Sequence, residues 1–539
     1  PENTGGKLKM GKWQRSLYQP VLPLGKDGKR VTGSAEHIAL SRKAAGEGMV
    51  LVKNENDTLP LAKGTKVALF GKGTIDYVKG GGGSGDVMVS YVHNLYDGLK
   101  MQENAVQIYE PLSDFYRTDI RHQYEKGAAP GMTVEPELSQ ELADGAKAFA
   151  DVAVVVISRF SGEGWDRSSI ECNNEFNPWD TETTMPKISG EVFPDGDFYL
   201  TTREKAMLSM VKERFDDIVV VLNIGGIMDL SWVKNDDRIS SALLGWQGGM
   251  EGGLAMAELL TGKGNPSGKL ADTFAADVND YPSTANFHES FDYVNYTEDI
   301  YVGYRYFETL PGAQEKVIYP FGYGLSYTSF VYKNLSTDKD KYELNDTIHA
   351  TVEVKNTGKY TGKEVVQLYV RDKASTYVTP VKQLRDFKKI ELAPGETRTV
   401  QLQVPISDLY LVDEKNQRFV EAGEFILEVG QASNNIILSK TIVAGEPSTI
   451  GNDEIVKPKN KKSSRQMEVK GEVRDVQATL VPDMQIIEKS TGKTIAVTDA
   501  KGQFKFTTGN HEYLIFKKSG YQTVEIEVNN MNVINITVN

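Results

Sequence analysis

Continuous apolar runs separated by amphipathic stretches dominate the first 330 residues of the chain. Each run ends in glycine or a polar residue, as expected of strands buried on both faces of a parallel sheet covered by helices. The intervening stretches have helical spacing, and Thr201 or Thr202 is suited to cap the last of them. The pattern therefore predicts an α/β domain over residues 35–330, preceded by an N-terminal extension, 1–34. The predicted strands lie in 66–71, 152–159, 218–226 and 241–246, and the predicted helices in 40–52, 138–150 and 201–215.

After residue 330 the pattern changes to short alternating strands punctuated by turn sequences such as "NTG" and "APGE". This spacing is typical of an antiparallel sandwich, which we expect over 331–446. A polar, lysine-rich stretch without periodicity, 447–466, is interpreted as a linker. Alternation returns over 467–539 and predicts a small β-sandwich. The predicted fold class is thus an α/β sandwich domain, with a mostly parallel sheet flanked by helices, followed by two all-β sandwich domains.

Composition narrows the possible partners of the chain. The net charge of −13 argues against nucleic acid or an anionic membrane, because both select basic surfaces. The single cysteine, Cys172, excludes an internal disulfide. Apolar runs fall short of the roughly 18 residues of a membrane span, so no membrane span is expected. The first residues lack the apolar core of a signal peptide, and a location in the bacterial cytoplasm and a secreted or periplasmic one both stay open.

Two loops with candidate chemistry leave predicted strands at their carboxyl ends, where α/β sheets bind ligands. One is the glycine-rich stretch "GGGGSGD" (80–86), in which the backbone can approach a ligand closely. It lacks the Gly-Lys-Ser/Thr of a phosphate-binding loop and the spacing of a dinucleotide fingerprint. Nucleotide binding is therefore disfavoured, whereas a flexible loop and a ligand-binding loop both remain open.

The second loop, "SRFSGEGWDR" (158–167), places a carboxylate at Glu163 between two glycines. Taken alone, Glu163 is best interpreted as a solvated residue, with Arg159 and Arg167 as nearby partners, because isolated glutamates are mostly exposed. Its position beside the glycine-rich loop favours the other interpretation, a catalytic acid.

Several ordered stretches resemble glycoside hydrolase family 3, in particular the part that follows the catalytic barrel in bacterial β-glucosidases. They cover residues 40–330 and include "SGEGWDR" and "GGGGSGDV". The next segment resembles the fibronectin type III-like domain of many members, and 467–539 is loosely similar to small transthyretin-like modules. Other matching stretches are "AAGEGMVLVKNENDTLPL", "VVVLNIGG", "GWQGGMEGGLAMAELLTGKGNPSGKLADTF", "YTEDIYVGYRYFE" and "YPFGYGLSYTSF".

The resemblance implies a role for each matching site residue. Glu163 would be the general acid/base, and Ser84, flanked by Gly83 and Gly85, would contact the sugar. Asp166 and Arg167 would shape the loop. The implied activity is that of a retaining β-glucosidase acting on β-linked glucosides or short β-glucans. Its two-carboxylate mechanism requires no metal and no organic cofactor. The acid is expected to have a raised pKa, through burial or a neighbouring carboxylate.

The second carboxylate is missing from this chain. In the family it is an aspartate followed by tryptophan on a separate (β/α)8 barrel, but the sequence has no Asp-Trp dipeptide and no spare stretch of about 250 residues. Some members place the barrel after the sandwich domain. Three explanations remain open: a piece of a longer or cleaved polypeptide, a barrel on another chain, or a relative that binds sugar without cleaving it. The last corresponds to a non-catalytic carbohydrate-binding or scaffold protein.

Overall fold

The structure, a computed structural model, describes most of the chain from residue 33 onwards. The predicted N-terminal extension, 1–34, lies outside it apart from residues 33 and 34, and Asp166 also lies outside it. The described residues are 33–87, 89–103, 105–163, 167, 185–287, 290, 293–413, 417–445, 449–450, 454–455, 466–475, 479–509, 513–527 and 534–538.

The first part of the chain folds into a mainly parallel sheet with helices on both sides, as predicted. The strand order is β1-β6-β5-β4-β2-β3, and only β1 runs antiparallel to its neighbour within this described sheet. Its strands are β1 (Val50–Asn54), β2 (Thr65–Phe70), β3 (Val106–Ile108), β4 (Val152–Ser158), β5 (Ile218–Asn223) and β6 (Ile239–Leu244). A short ribbon follows, β7 (Phe274–Ala275) with β8 (Val317–Tyr319). The helices are α1 (Ala35–Gly48), α2 (Leu95–Lys100), α3 (Glu110–Glu125), α4 (Gln140–Phe149), α5 (Met185–Val192), α6 (Thr202–Lys212), α7 (Ser231–Lys234), α8 (Gly252–Leu260) and α9 (Tyr304–Thr309).

Burial on both faces explains why the central strands read as continuous apolar runs. In β4, Ala153, Val155 and Ile157 pack against the helices α3, α4 and α6. The alternate residues, among them Val154, pack against α2 and α8 on the other face. Thr201 caps α6 as predicted, in a reciprocal capping box with Glu204.

One predicted helix is wrong over its last residues. The stretch 40–52 was expected to be helical throughout, but α1 ends at Gly48 and the apolar residues from Val50 form β1. The reason is tertiary, since β1 pairs with β6 through Val50 and Leu244 and is buried. Short apolar runs do not distinguish a strand from a buried helix by periodicity.

The outer edge of β1 is covered by other parts of the same domain. Leu325 N donates a hydrogen bond of 2.8 Å to Leu51 O, and the two residues form an antiparallel bridge. Gly268 N donates to Met49 O at 3.1 Å. Tyr323 Oη donates to Val52 O at 3.3 Å. Three main-chain carbonyls in or next to this edge strand are thereby paired within the chain.

The second part of the chain is an all-β sandwich, as predicted. One sheet has the order β10-β18-β17-β12-β13 and the other β14-β11-β9. Inward-facing residues alternate with exposed ones, so that Val352, Leu368, Val400 and Leu427 share one buried core. The strands are β9 (Phe330–Thr337), β10 (Lys341–Tyr342), β11 (Thr347–Asn356), β12 (Gly362–Asp372), β13 (Gln383–Leu392), β14 (Thr397–Pro405), β15 (Leu411–Val412), β16 (Arg418–Phe419), β17 (Gly423–Ala432) and β18 (Asn435–Ala444).

Polar contacts join the sandwich to the α/β domain. Lys363 and Lys389 both form ion pairs with Glu47, near the end of α1, and Lys389 Nζ also donates to Glu47 O at 3.0 Å. Tyr304 stacks on Phe321, and its hydroxyl accepts a hydrogen bond of 2.8 Å from Leu384 N. The sandwich therefore rests on elements at one end of the α/β domain.

The last part of the chain forms a second all-β unit, whose sheets have the orders β24-β21-β27 and β23-β22-β25-β26. They enclose a core that includes Val469, Ile486, Phe504 and Phe516. Within the predicted linker, the described residues form the short strands β19 and β20, and Glu454 pairs with Arg418 of β16. The strands are β19 (Thr449–Ile450), β20 (Glu454–Ile455), β21 (Gln466–Asp475), β22 (Gln485–Glu488), β23 (Lys493–Val497), β24 (Gln503–Gly509), β25 (Tyr513–Lys517), β26 (Val524–Glu527) and β27 (Ile536–Val538).

Domain boundaries and the transthyretin-like character of the last unit stay predictions. Among the described helices, none combines the length and the apolar character that crossing a bilayer demands.

Candidate functional site

The two loops singled out from the sequence meet at the carboxyl edge of the sheet. The glycine-rich loop follows β2, and the loop with Glu163 follows β4, the neighbouring strand. Gly82 N donates to Ser161 O at 3.0 Å, and Glu163 N donates to Gly82 O at 3.3 Å. These bonds form a parallel bridge between Gly82 and Gly162, which continues the strand pairing outward into the loops.

Ser84 and Glu163 are in direct contact. Ser84 N donates a hydrogen bond of 2.6 Å to Glu163 Oε2, and the Ser84 hydroxyl donates to the same oxygen. Both residues are exposed to solvent. The structure thus brings together two residues that the sequence predicted for one site, at the face where ligands of α/β sheets bind.

The glycine at position 83 makes this contact possible. Gly83 has φ +69, and a Cβ built there would lie 2.4 Å from Glu163 Cβ and 2.8 Å from Glu163 Oε2. Any side chain at position 83 would therefore displace the Glu163 carboxylate. The substituted residue would also have to keep a backbone conformation that L residues disfavour. Gly85 differs, because a Cβ there would meet nothing within 4 Å.

The hydrogen bonds from Ser84 lower the pKa of the Glu163 carboxyl below its ordinary value, the hydroxyl having the larger effect. The expected raised pKa is therefore wrong for this chain by itself. Burial or a neighbouring carboxylate would raise it, but Glu163 is exposed and the described residues bring no carboxylate against it. Glu163 is ionised at neutral pH in this structure.

Arg167, four residues after Glu163, forms polar contacts with Asp197 and Ile227, which lie in two other segments. Its Nε lies 2.8 Å from Asp197 Oδ2 and its Nη2 donates to Asp197 O at 3.2 Å. Nη1 donates to Ile227 O. These contacts agree with a loop-shaping role for Arg167, which stays a proposal.

Arg159, directly before the loop, is fully buried rather than a surface partner of Glu163. It forms a bidentate ion pair with Glu204 at 2.8 and 2.9 Å and donates to the carbonyls of Asp197, Ser158 and Tyr199. Both arginines near Glu163 therefore pair elsewhere, and the interpretation that either of them forms a salt bridge with Glu163 is wrong. The ion pair between Arg159 and Glu204 was not predicted from the sequence. The only feature of the sequence that pointed to Glu204 was its position three residues after Thr201, where it completes the capping box of α6.

Asn223 at the end of β5 fixes the start of the glycine-rich loop. Its side chain is fully buried. Oδ1 accepts from Val78 N at 2.7 Å, and Nδ2 donates to Val78 O at 2.9 Å and Trp246 O at 2.7 Å. Sequence reasoning missed Asn223, although a polar residue closing the run "IVVVLN" was a visible signal.

A buried polar network lies behind the two loops. Lys72 Nζ donates to Gly131 O at 3.1 Å and lies 3.8 Å from Asp76 Oδ2. Glu135 accepts from Lys72 N at 2.7 Å and from the Tyr116 hydroxyl at 2.9 Å. Burial raises the pKa of Glu135 to about 7 and lowers the pKa of Lys72. The network was not predicted from the sequence.

Among the described residues, no three His, Cys, Asp or Glu side chains are grouped so that they could hold a metal ion. The chemistry of the site therefore has to be argued from Glu163, Ser84 and the loop backbones.

The C-terminal domain model of glycosyl hydrolase family 3 matches residues 49–327, more than half of the chain, and a fibronectin type III-like model matches 364–433. The chain belongs to glycosyl hydrolase family 3, as its sequence motifs indicated.

Several relatives and solved structures that this chain is similar to are named as β-glucosidases. Beta-glucosidase A of Butyrivibrio fibrisolvens is 50% identical over 434 residues, which are 78% of this chain and 52% of the relative. Thermostable beta-glucosidase B of Acetivibrio thermocellus is 34% identical over 410 residues, 75% of this chain and 48% of the relative. The structure of beta-glucosidase 3B from Thermotoga neapolitana in complex with alpha-D-glucose matches with a TM-score of 0.67 and 35% identity, over 78% of this chain and 55% of that one. The chain thus spans about half the length of the curated relatives it matches.

Proposed function

We propose that this chain is the part of a retaining β-glucosidase that supplies the general acid/base, Glu163. The substrates would be β-linked glucosides or short β-glucans. The observation that carries the proposal is the contact of Ser84 with Glu163 at the carboxyl edge of the sheet. Membership of the family and the names of the relatives support it.

The nucleophile in this proposal is an aspartate on a (β/α)8 barrel outside the chain. In a retaining mechanism the two carboxyl groups lie about 5–5.5 Å apart. Glu163 first protonates the glycosidic oxygen while the aspartate attacks the anomeric carbon and the aglycone leaves. The Glu163 carboxylate then takes a proton from water, whose oxygen displaces the aspartate and restores both carboxyl groups.

The exposed position of Glu163 is compatible with an active site that is shared between this chain and a separate barrel. A docked barrel would bury the carboxyl group and bring a second carboxylate near it, and both changes raise a pKa. The lowered pKa of Glu163 in this structure would then describe the chain without its partner. Gly83 and Gly85 keep the backbone beside Ser84 free of side chains, so that a sugar can approach it closely.

A second candidate function is non-catalytic carbohydrate binding. The same lowered pKa favours it, because an exposed, ionised Glu163 can accept hydrogen bonds from sugar hydroxyls without transferring a proton. Sugar binding without hydrolysis, in every mixture with a barrel, would support this function over the first.

The test measures hydrolysis of an aryl β-glucoside by the chain alone and mixed with a separately produced barrel that carries the Asp-Trp sequence. We expect activity in the mixture, its loss in Glu163→Ala, and partial rescue of that variant by azide with an activated leaving group. Glu137→Ala is the matched control, because Glu137 is an exposed glutamate of the same domain. Unchanged activity of Glu163→Ala in an active mixture would rule out the acid/base role.

A further inference from the structure

A cavity lies in the α/β domain, beside α6. Its volume is about 280 Å³, close to the lower end of the range for small-molecule sites. The cavity opens to solvent between α6 and residues 229–232, which include the start of α7. Its lining includes Tyr199, Leu200, Lys205, Leu208, Asp229 and Trp232.

The cavity offers a donor and an acceptor that no described residue uses. Lys205 is exposed on α6, and its ammonium group has no hydrogen bond or ion pair within the described ranges. Asp229 Oδ1 accepts from Ser231 N at 2.8 Å, while Oδ2 accepts nothing from the described residues. The other lysine of the lining, Lys212, is paired with Asp236 at 2.7 Å. A ligand with several hydroxyl groups could both donate to Asp229 and accept from Lys205.

Two aromatic rings in the lining are held in place by hydrogen bonds. Trp232 Nε1 donates to Asp229 O at 2.9 Å. The Tyr199 hydroxyl donates to Asp277 Oδ1 at 3.0 Å. Both rings are half-buried, and Leu200 and Leu208 add apolar surface between them and the core. Fixed aromatic surface bordered by a few polar groups is the usual composition of a small-ligand site.

We propose that this cavity is a second saccharide site, which binds one neutral hexopyranose unit of glucose or a β-glucoside. The apolar C–H face of a pyranose packs on aromatic rings, and its hydroxyl groups pair with a carboxylate and an ammonium group placed at the rim. Trp232, Asp229 and Lys205 supply these three components. The site is separate from Ser84 and Glu163, and it does not depend on the proposed hydrolytic function.

The site borders the segments that hold Arg167. Tyr199 and Asp229 each lie two residues beyond a contact of Arg167, namely Asp197 and Ile227. Asp229 N donates to Phe198 O at 2.9 Å and so joins the two segments. A bound sugar would therefore rest on the same backbone that anchors the end of the Glu163 loop.

Isothermal titration of the full chain with glucose and with cellobiose tests the proposal. We expect saturable binding that persists in a Ser84→Ala, Glu163→Gln double variant, which removes the two side chains proposed to contact sugar in the loops after β2 and β4. Trp232→Ala and Asp229→Asn should each weaken binding by about tenfold, because one aromatic contact or charged hydrogen bond is worth roughly that factor. Arg203→Ala is the matched control on α6, since Arg203 is exposed and does not line the cavity.

Asp229→Asn keeps the oxygen that accepts from Ser231, so it remains informative if Trp232→Ala unfolds. Absence of saturable sugar binding, or unchanged affinity in both variants, would overturn the site. Binding that disappears in the Ser84 and Glu163 double variant would also overturn it. Binding of glucuronate but not glucose would contradict the neutral ligand. Loss of hydrolysis in mixtures with a barrel leaves these results unaffected and concerns the proposed function alone.

Discussion

Ser84 donates two hydrogen bonds to a single oxygen of Glu163, one from its backbone nitrogen and one from its hydroxyl, across 79 residues of sequence. The contact joins loops that follow neighbouring parallel strands. Because both donors favour the ionised carboxylate, the interaction sets the protonation state of Glu163 as well as its position.

Removal of the Ser84 hydroxyl should raise the pKa of Glu163. We expect the pKa in Ser84→Ala to move toward the ordinary glutamate value but to stay below it, because the backbone donor remains. Carbon-13 NMR of labelled glutamate carboxyls measures this, with Glu163→Gln used to assign the signal. Ser161→Ala is the matched control, since that side chain makes no hydrogen bond to described residues. An unchanged pKa in Ser84→Ala would contradict the interpretation.

A side chain at position 83 should separate Ser84 from Glu163. In Gly83→Ala the added Cβ would collide with the glutamate and the residue would keep a left-handed φ, at a cost of about 1–3 kcal/mol in free energy of unfolding. Gly85→Ala should be nearly neutral, because its Cβ meets open space. Crystal structures of the two variants and their urea unfolding distinguish the positions. Equal effects of the two substitutions would refute the steric argument.

Glu135 should make stability depend on pH between about 4.5 and 7. Its pKa in the folded state is about 7 against an ordinary value of 4.5, so its contribution is full below pH 4.5 and lost as the pH rises through 7. The loss amounts to about 3 kcal/mol.

The measurement for Glu135 is urea unfolding followed by tryptophan fluorescence, since every tryptophan of the chain precedes residue 330. The free energy of unfolding of the wild type, relative to Glu135→Gln, should fall between pH 5 and pH 8. Glu137→Gln is the exposed control and should follow the wild type. Parallel pH curves for the wild type and Glu135→Gln would show that the buried carboxyl is not the cause.

Breaking the buried pair of Arg159 and Glu204 should destabilise the α/β domain strongly. Arg159→Met leaves an unpaired buried carboxylate and should cost about 3–5 kcal/mol. The double variant with Glu204→Met should lose less than the sum of the single losses, because no charge is then left alone. Arg398→Met provides the comparison, since its pair with Glu396 is solvent-exposed and worth at most about 1 kcal/mol. Additive losses in the double variant would speak against a coupled pair.

The sequence predicted the layers of this protein better than its site geometry. The runs that became β2, β4, β5 and β6 were recognisable because both faces of each strand are buried, which removes polar residues from the pattern. β1 was missed for the opposite reason, because four apolar residues directly after a helix fit the helical pattern equally well. The fold class is confirmed, and the family resemblance is confirmed by the domain models.

Contacts between individual side chains could not be predicted from the sequence. The loops were correctly placed at one edge of the sheet, but the bond from Ser84 to Glu163 depends on the conformation of Gly83. The direction of the Glu163 pKa shift was predicted wrongly, because in this structure Glu163 is exposed and accepts two hydrogen bonds, whereas the prediction requires a carboxyl group that is buried or beside another carboxylate. Arg159 was considered as a salt-bridge partner of Glu163, and only the fold shows that its partner is Glu204 on α6.

The covering of β1 has a consequence for the behaviour of the protein in solution. An edge strand with unpaired main-chain groups is a template on which another polypeptide can add a strand, and such additions lead to aggregation. Here the outer side of β1 is occupied by Leu325 and Gly268, and the opposite edge strand, β3, is only three residues long. The carboxyl edge of the sheet, where Ser84 and Glu163 meet, can thus remain exposed to solvent while the two edge strands give other chains little on which to add a strand.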